Sequence, residues 1–280
     1  VSFNGQAPNY WSYDIISSQI SIMSSSSVVE MGGTYFWLGV DRFYFYNGSV
    51  NVLPNDKNVN WLFDNINYSQ RQKVWASKVP RWGEIWWFYP KGDSTECNDA
   101  IIFNVREKTW YDAGQSLGAH RSAGTFSEVF RKPIWAGNDI EEDGNTILWQ
   151  HETGSDVVNL ATQNAILSHF ETNNLGWVTG GPGANDPIGQ NNWIRIEQIE
   201  PDFVQNGEMS VVVYGKGYAD GTDEISAPYY FDPETLKINM REQRRELRLR
   251  FISNIVNGNY ECGNILLSAD IGDMRSTGNP

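Results

Sequence analysis

Three histidines (His120, His151 and His169), two cysteines (Cys97 and Cys262) and 34 Asp and Glu residues are the groups from which a catalytic or metal centre would have to be built. The histidines share no HxH or HExxH spacing and no CxxC occurs, so no metal-ligand pattern is legible. Between Gly137 and Asn145, Asp139, Glu141, Asp143 and Gly144 partly match a calcium-binding loop. Gln150 stands where that loop needs its bidentate Glu, and the flanks are β-forming, so a solvated turn is expected. The glycine-rich stretch Gly176–Gln190 is not followed by the Lys-Ser or Lys-Thr of a phosphate cradle, and chain reversal or an ordered neighbour contact is expected there. Ser122 beside His120, and Asp202, belong to no nucleophile motif. Glycoside cleavage needs two carboxylates, and with so many acids any pair is easily found. Trp82, Trp86 and Trp87 have the rings to stack on sugars, but Trp86 and Trp87 are adjacent, so one faces the core. No catalytic residue, cofactor site or metal ligand is assigned, and the chain is expected not to be an enzyme.

The one dense basic run is Arg241–Phe251, REQRRELRLRF. From Leu247 onward Leu, Leu and Phe alternate with Arg, the pattern of a half-buried strand with an arginine ladder on its open face. Ion pairs to nearby glutamates would make that face an ordinary solvated one. Contact with an acidic partner surface is the functional reading, since guanidinium forks suit interfaces. Arg244, Arg245, Arg248 and Arg250, with Trp87, are the interface candidates. Charge reversal at Arg248 and Arg250 is expected to weaken assembly and leave the monomer folded. The formal charge, −13, argues against bulk adhesion to duplex DNA, although acidic residues can line a passage through which DNA slides.

The elements that must position these residues read as all-β. Tyr35–Leu38, Phe43–Tyr46 and Val50–Val52 alternate around Asn47-Gly48, the dipeptide that best tolerates positive φ in a tight turn. The pattern returns at Glu84–Tyr89, Ala100–Val105 and Thr109–Tyr111. Two aromatic clusters about fifty residues apart have the rhythm of repeated antiparallel blades, so a β-propeller-like fold is expected. Residues 1–153 are assigned to propeller blades. Composition changes near Gly154, and residues 154–280 are assigned to further blades or to a separate β module of sandwich type.

At most one or two short turns of helix are expected within Pro54–Gln72, a strand at Ile20–Ile22, and irregular chain over residues 112–132. Trp193–Glu200 and Met209–Tyr214 read as alternating strands of a hairpin-rich module, Gly263–Leu267 as the last strand and Asp270–Pro280 as a polar tail. Both thiols are expected to be buried and unpaired. No run approaches the length of a membrane helix, and residues 1–14 carry neither the basic nor the apolar region of a signal peptide, so no membrane partner is expected.

Several phrases, in a shared order, resemble the tail hub proteins of short-tailed bacteriophages, the packaged-DNA stabilisation family. They are Phe36–Tyr44 (FWLGVDRFY), Gln70–Val74, Gly83–Pro90 (GEIWWFYP), Asn104–Tyr111 (NVREKTWY), Leu148–Glu152, Glu200–Phe203 and Arg245–Phe251. The likeness runs from about Ser24 to Arg275. It implies a propeller-like, non-enzymatic virion subunit that forms a ring with copies of itself beneath the portal or connector. Such a ring would extend the DNA channel, retain packaged DNA until ejection, and dock tail-tip or fibre proteins. It would act in the virion tail after assembly in the host cytoplasm, with double-stranded DNA in transient passage. The resemblance also implies that an N-terminal portion of a complete hub is missing. The alternative expectation is a carbohydrate-binding or glycoside-cleaving propeller acting on host surface glycans.

Overall fold

Positive-φ positions decide where residues 28–112 turn. Gly32 and Gly33, at φ +62° and +80°, close a two-residue hairpin between strands Val28–Met31 and Thr34–Leu38. That geometry needs φ above zero at both central residues, which two glycines adopt without strain. Phe43–Tyr46 and Val50–Leu53 complete a four-stranded antiparallel meander, turning at Gly48. This computed structural model describes residues 2–5, 7–8, 10–13, 15–56, 59–113, 117–140, 144–175, 192–217 and 220–274. Residues 54–73 hold more helix than the one or two turns expected: an α-helix, Val59–Asn65, and a 3-10 segment, Tyr68–Lys73. A second meander follows with strands Trp75–Val79, Glu84–Tyr89, Asp99–Asn104 and Thr109–Asp112 paired in chain order. The third sheet pairs Arg121–Ser127, Lys132–Ile140 and Thr146–Gln150.

The chain divides into two units, Val1–Thr153 and Gly154–Pro280. In the first, the three sheets stack in sequence. Phe36, Leu38 and Phe43 share a core with Ile85, Trp87, Ile101 and Phe103 of the second sheet. The opposite face of that second sheet gives Trp75, Val79, Phe88 and Ala100 to another core with Trp135 of the third. Trp87 and Phe88 thus face opposite cores, as the two-residue period of a strand requires. Trp135 donates from Nε1 to Ser77 Oγ at 3.0 Å, and Trp75 from Nε1 to the Arg121 carbonyl at 2.9 Å, so the indole N–H groups also tie the second sheet to the third.

The second unit pairs strands that are distant in sequence. One sheet orders Ser168–Glu171, Glu246–Ser253 and Met209–Lys216, with Glu224–Ile225 and Tyr229–Phe231 both along the last of these. Another orders Ile238–Arg244, Asn192–Glu200 and Leu266–Met274, and two ribbons pair Asp156–Asn159 with Thr162–Ala165 and Phe203–Asn206 with Asn259–Cys262. Val211, Val213, Leu247, Leu249 and Phe251 of the first sheet and Ile194, Ile196, Ile199 and Met240 of the second build a common core.

The architecture is all-β with several antiparallel sheets, but the propeller expectation is corrected: among the described residues no sheet is closed into a barrel or propeller. The blade rhythm belongs to two meanders and stops there. A propeller repeats that meander around a ring, whereas the third sheet has three strands and the second unit abandons meander order. On the outer face of the first sheet Tyr35 and Val52 are exposed while Trp37 and Tyr44 are buried, with Trp37 Nε1 donating to the Ser21 carbonyl at 3.1 Å, and on the third sheet Leu148 is exposed.

Several local expectations also change. Residues 112–132 contain a seven-residue strand, Arg121–Ser127, that apolar alternation does not reveal. Its small residues serve Trp135, since a Cβ on Gly124 would lie 2.4 Å from Trp135 Cδ1. Ile20–Ile22 forms no strand, and both isoleucines are exposed. Asn192–Glu200 and Met209–Lys216 do not pair as a hairpin. The first of them carries a register shift between Ile196 and Gln198, which turns Ile199 to the same core as Ile194 and Ile196. The last strand starts at Leu266 and takes in part of the expected tail, while residues 275–280 lie outside the described residues. Cys97 is buried as expected, but Cys262 is exposed, and both are free. The stretch Gly176–Gln190, together with Glu141 and Asp143 of the acidic turn, also lies outside the described residues.

Trp87 fills the shared core of the first two sheets with no exposed surface. Replacing it with alanine (W87A) is expected to cost about 3–5 kcal/mol, read from a denaturant unfolding curve. A loss below about 1 kcal/mol would mean the two sheets do not share that core.

Candidate functional site

Two clusters of polar groups stand out, one in each unit. In the second unit the basic run divides between two strands, Ile238–Arg244 and Glu246–Ser253. Leu247, Leu249 and Phe251 point into the core, so Arg248 and Arg250 share the other face. Glu171 lies directly across from Arg250 and accepts from its Nε at 2.7 Å. Arg248 Nε is 3.1 Å from the other Glu171 oxygen, and its Nη2 reaches Asp223. Both guanidinium groups stand over the Tyr214 ring, at 4.5 Å for Arg250 and 5.8 Å for Arg248. Arg244 pairs with Glu242 at 3.2 Å and Glu224 at 3.4 Å. Arg245 donates its backbone N–H to the Lys216 carbonyl and has no carboxylate partner among the described residues.

The structure therefore brings Arg248 and Arg250 together, holds Arg244 in separate ion pairs, and leaves Arg245 outside both groups. Trp87 belongs to the other unit, where its ring is enclosed and its Nε1 donates to the Ser27 carbonyl at 2.9 Å. It is therefore not presented at the surface of this chain. Of the three tryptophans considered for sugar stacking, only Trp82 is well exposed, at 47%.

The histidines form no cluster, and among the described residues no group of His, Cys, Asp or Glu is arranged to hold a metal ion. His120 Nδ1 is 2.9 Å from Asp139. Arg121, almost fully buried, donates from Nε to His151 Nε2 at 2.9 Å and from Nη1 to the His120 carbonyl at 2.9 Å. Burial, reinforced by the neighbouring guanidinium, pushes the His151 ring down to about 3, so it stays neutral and accepts.

The cluster that sequence spacing does not reveal lies in the first unit, beside the Pro80–Gly83 turn. Arg106 donates to the carbonyls of Pro80 at 2.8 Å and Arg81 at 3.0 Å, fixing the main chain of that turn. Gly83 adopts φ +77° there, and a Cβ would meet the Arg106 side chain at 2.8 Å. The held turn presents Arg81, whose guanidinium lies 4.8 Å from the Trp82 ring centroid. Trp82 Nε1 donates to Glu152, a non-glycine residue at φ +58°. Burial raises the Glu152 carboxyl above its usual range and Glu84 adds to this, against the Trp82 hydrogen bond, Arg81 and Lys132. Glu84 in turn accepts from Trp86 Nε1 at 2.9 Å and from the Tyr111 hydroxyl. Alongside opens a groove of about 670 Å³, lined by Lys78, Arg81, Arg131 and Lys132 with Phe126 and Phe130. These residues come from separate strands and turns with no common spacing, and the only local signal is the exposed Arg81-Trp82 pair in a Pro-Gly turn.

Neither the protein-family models nor the curated proteins match this chain.

Two consequences can be measured. His151 titrates lower in the folded protein than in the unfolded chain, so unfolding takes up a proton between about pH 3 and 6.5. That stability is fully present above pH 6.5 and is lost as pH falls toward 3. His151→Gln keeps an acceptor for Arg121 and is expected to flatten this part of the stability–pH curve; an unchanged slope would assign it to other groups. The ion pairs of Arg248 and Arg250 also revise the earlier expectation for their charge reversal. The double change to glutamate faces Glu171 with like charge and is expected to destabilise the second unit by about 1 kcal/mol or more, read by thermal unfolding.

Proposed function

We propose that this chain is a structural subunit of the tail of a short-tailed bacteriophage, in a hub or connector. In this reading copies of the chain form a ring below the portal that continues the DNA channel, retains the packaged genome and docks tail-tip or fibre proteins. The chain works by rigidity and charge, without chemistry of its own. The phrases that resemble tail hub proteins supply much of the framework. Phe36, Leu38 and Phe43, then Ile85, Trp87 and Tyr89, and finally Leu247, Leu249 and Phe251 are all core residues. A net charge of −13 suits a wall along which DNA passes without adhering.

The observation that carries an assembly role is the stretch before the first meander. Ser2–Phe3 and Trp11–Ser12 form a minimal ribbon, and Phe3, Trp11, Tyr13, Ile15, Ile16 and Ile22 are all exposed. Ile15 is 86% exposed and Ile16 64%. Apolar side chains concentrated in this way mark a surface that another chain covers.

The native mass of the protein, with and without a portal partner, tests the proposal. A discrete ring, alone or with the partner, is expected, and a strict monomer in both conditions overturns it. Ile15→Asp with Ile16→Asp is expected to dissociate the assembly and leave the melting temperature unchanged, because neither side chain is packed in the monomer. Assembly that survives both substitutions would place the interface elsewhere.

A further inference from the structure

We propose that the groove beside the Pro80–Gly83 turn binds an acidic saccharide, with Arg81 and Arg131 pairing its carboxylate, Glu152 accepting from its hydroxyls and Trp82 meeting its ring. This goes beyond the tail assignment and does not depend on it.

In a chain with 34 acids and 21 bases, about half of the described arginines have side-chain partners on the chain itself, and Arg71, Arg241 and Arg245 are in no ion pair among the described residues. Arg42, Arg195, Arg244, Arg248 and Arg250 are in ion pairs, and Arg106 is bound to main-chain carbonyls. Arg81 and Arg131 have no carboxylate partner among the described residues, and both line the same groove. Lys78 and Lys132 line it too, but Lys78 is held 3.4 Å from Glu30, and Lys132 donates to Thr153 Oγ1 at 2.8 Å. Among the described residues Glu128 is the one carboxylate in the lining, so the groove is a local excess of positive charge on a negative protein. Guanidinium forks match a carboxylate in two parallel hydrogen bonds, which a lysine cannot offer.

The groups around those arginines narrow the ligand. Phe126 and Phe130 line the groove, and Trp82 follows the lining residues Pro80 and Arg81 in the turn, with the Arg81 guanidinium 4.8 Å from its ring centroid. Glu152, close enough to feel both Arg81 and Lys132, accepts from Trp82 and retains acceptor capacity for a hydroxyl donor. Polyphosphate would meet the arginines but brings neither hydroxyls nor a ring face. A run of acidic residues would satisfy the arginines and can donate from its backbone N–H groups, but offers no ring for Trp82, Phe126 and Phe130. A uronic-acid sugar offers a carboxylate, several hydroxyls and an apolar ring face together, one for each kind of group present. The site is also built to keep its shape, because Arg106 holds the carbonyls behind Arg81 and Trp82.

The probes are tetragalacturonate and its full methyl ester, which share the rings but not the charge, with polyphosphate and hexaglutamate as the other anions. Calorimetric titration of the whole chain should show tetragalacturonate binding, with the ester at least about tenfold weaker, the loss expected when a bidentate charged pair is removed. Arg81→Ala with Arg131→Ala should weaken tetragalacturonate by about tenfold or more, and Trp82→Ala should weaken it while leaving any residual polyphosphate binding unchanged. Equal binding of acid and ester overturns the proposal, as does full affinity in the double variant. Polyphosphate or hexaglutamate binding as well as the sugar, with Trp82→Ala neutral, reduces the groove to an unspecific cationic patch. Amide shift mapping on the unsubstituted protein avoids any folding defect. Tetragalacturonate should move residues 80–82 and 130–132, and shifts confined elsewhere overturn the assignment.

Discussion

The first unit depends on one sheet that is buried on both sides. Strands Glu84–Tyr89 and Asp99–Asn104 lie in the middle of the second meander, and all six residues of the latter are buried. Their apolar side chains are committed to one core or the other, Trp86 only partly buried, while Glu84 at the strand end stays partly exposed. This explains why the segment reads as an almost unbroken apolar run, where a sheet with one wet face would alternate. It also explains the exception. Asp99 is fully enclosed at the start of its strand, and burial raises its carboxyl, but Lys91 Nζ lies 3.0 Å away and the Ala100 N–H donates at 2.8 Å. A carboxylate left there without that partner would cost several kcal/mol, so the strand and the turn before it must form together. Lys91 also lies 3.8 Å from the Trp61 ring, which fastens the short helix to the same pair.

Much of this framework was legible because period and turn chemistry agree. Asn47-Gly48 and Pro90–Asp93 separate alternating aromatic runs, and the strands fall where those runs do. Leu247, Leu249 and Phe251 likewise announce which face of their strand is dry. The sequence was misleading where local pattern stood in for long-range order. A meander and a propeller blade have the same period, so the number of blades and their closure are decided by contacts that no single repeat contains. Arg121–Ser127 was hidden because its residues are chosen for what they make room for, the Trp135 ring, and not for their own burial. The Ile196–Gln198 shift was written in the spacing of Ile194, Ile196 and Ile199, which strict alternation does not allow.

The two polar clusters differ in how far they are closed. Around Arg248 and Arg250 each charge faces an opposite charge or a ring in its own unit, an arrangement that sets the strand pairing of Glu171 and Tyr214. The basic run was therefore easy to see, and its partners supply most of what it needs. Arg81 and Arg131 are separated in sequence, belong to different turns, and leave guanidinium groups facing an open groove. Spacing cannot find such a pair, because only the stacking of the second sheet against the third brings the two turns to one place.

Arg106 has a consequence for how this surface changes over time. Its grip is on the carbonyl oxygens of Pro80 and Arg81, which every amino acid possesses. The side chains that follow, Arg81 and Trp82, project from a main chain that would keep its path if they were exchanged. Related chains could therefore alter what the turn displays, one residue at a time, at no cost beyond contacts of the side chain itself, such as the Trp82–Glu152 hydrogen bond. The position that cannot drift is Gly83, because any side chain there would collide with the arginine that holds the turn. Variable neighbours around an invariant glycine would be the trace such a history leaves.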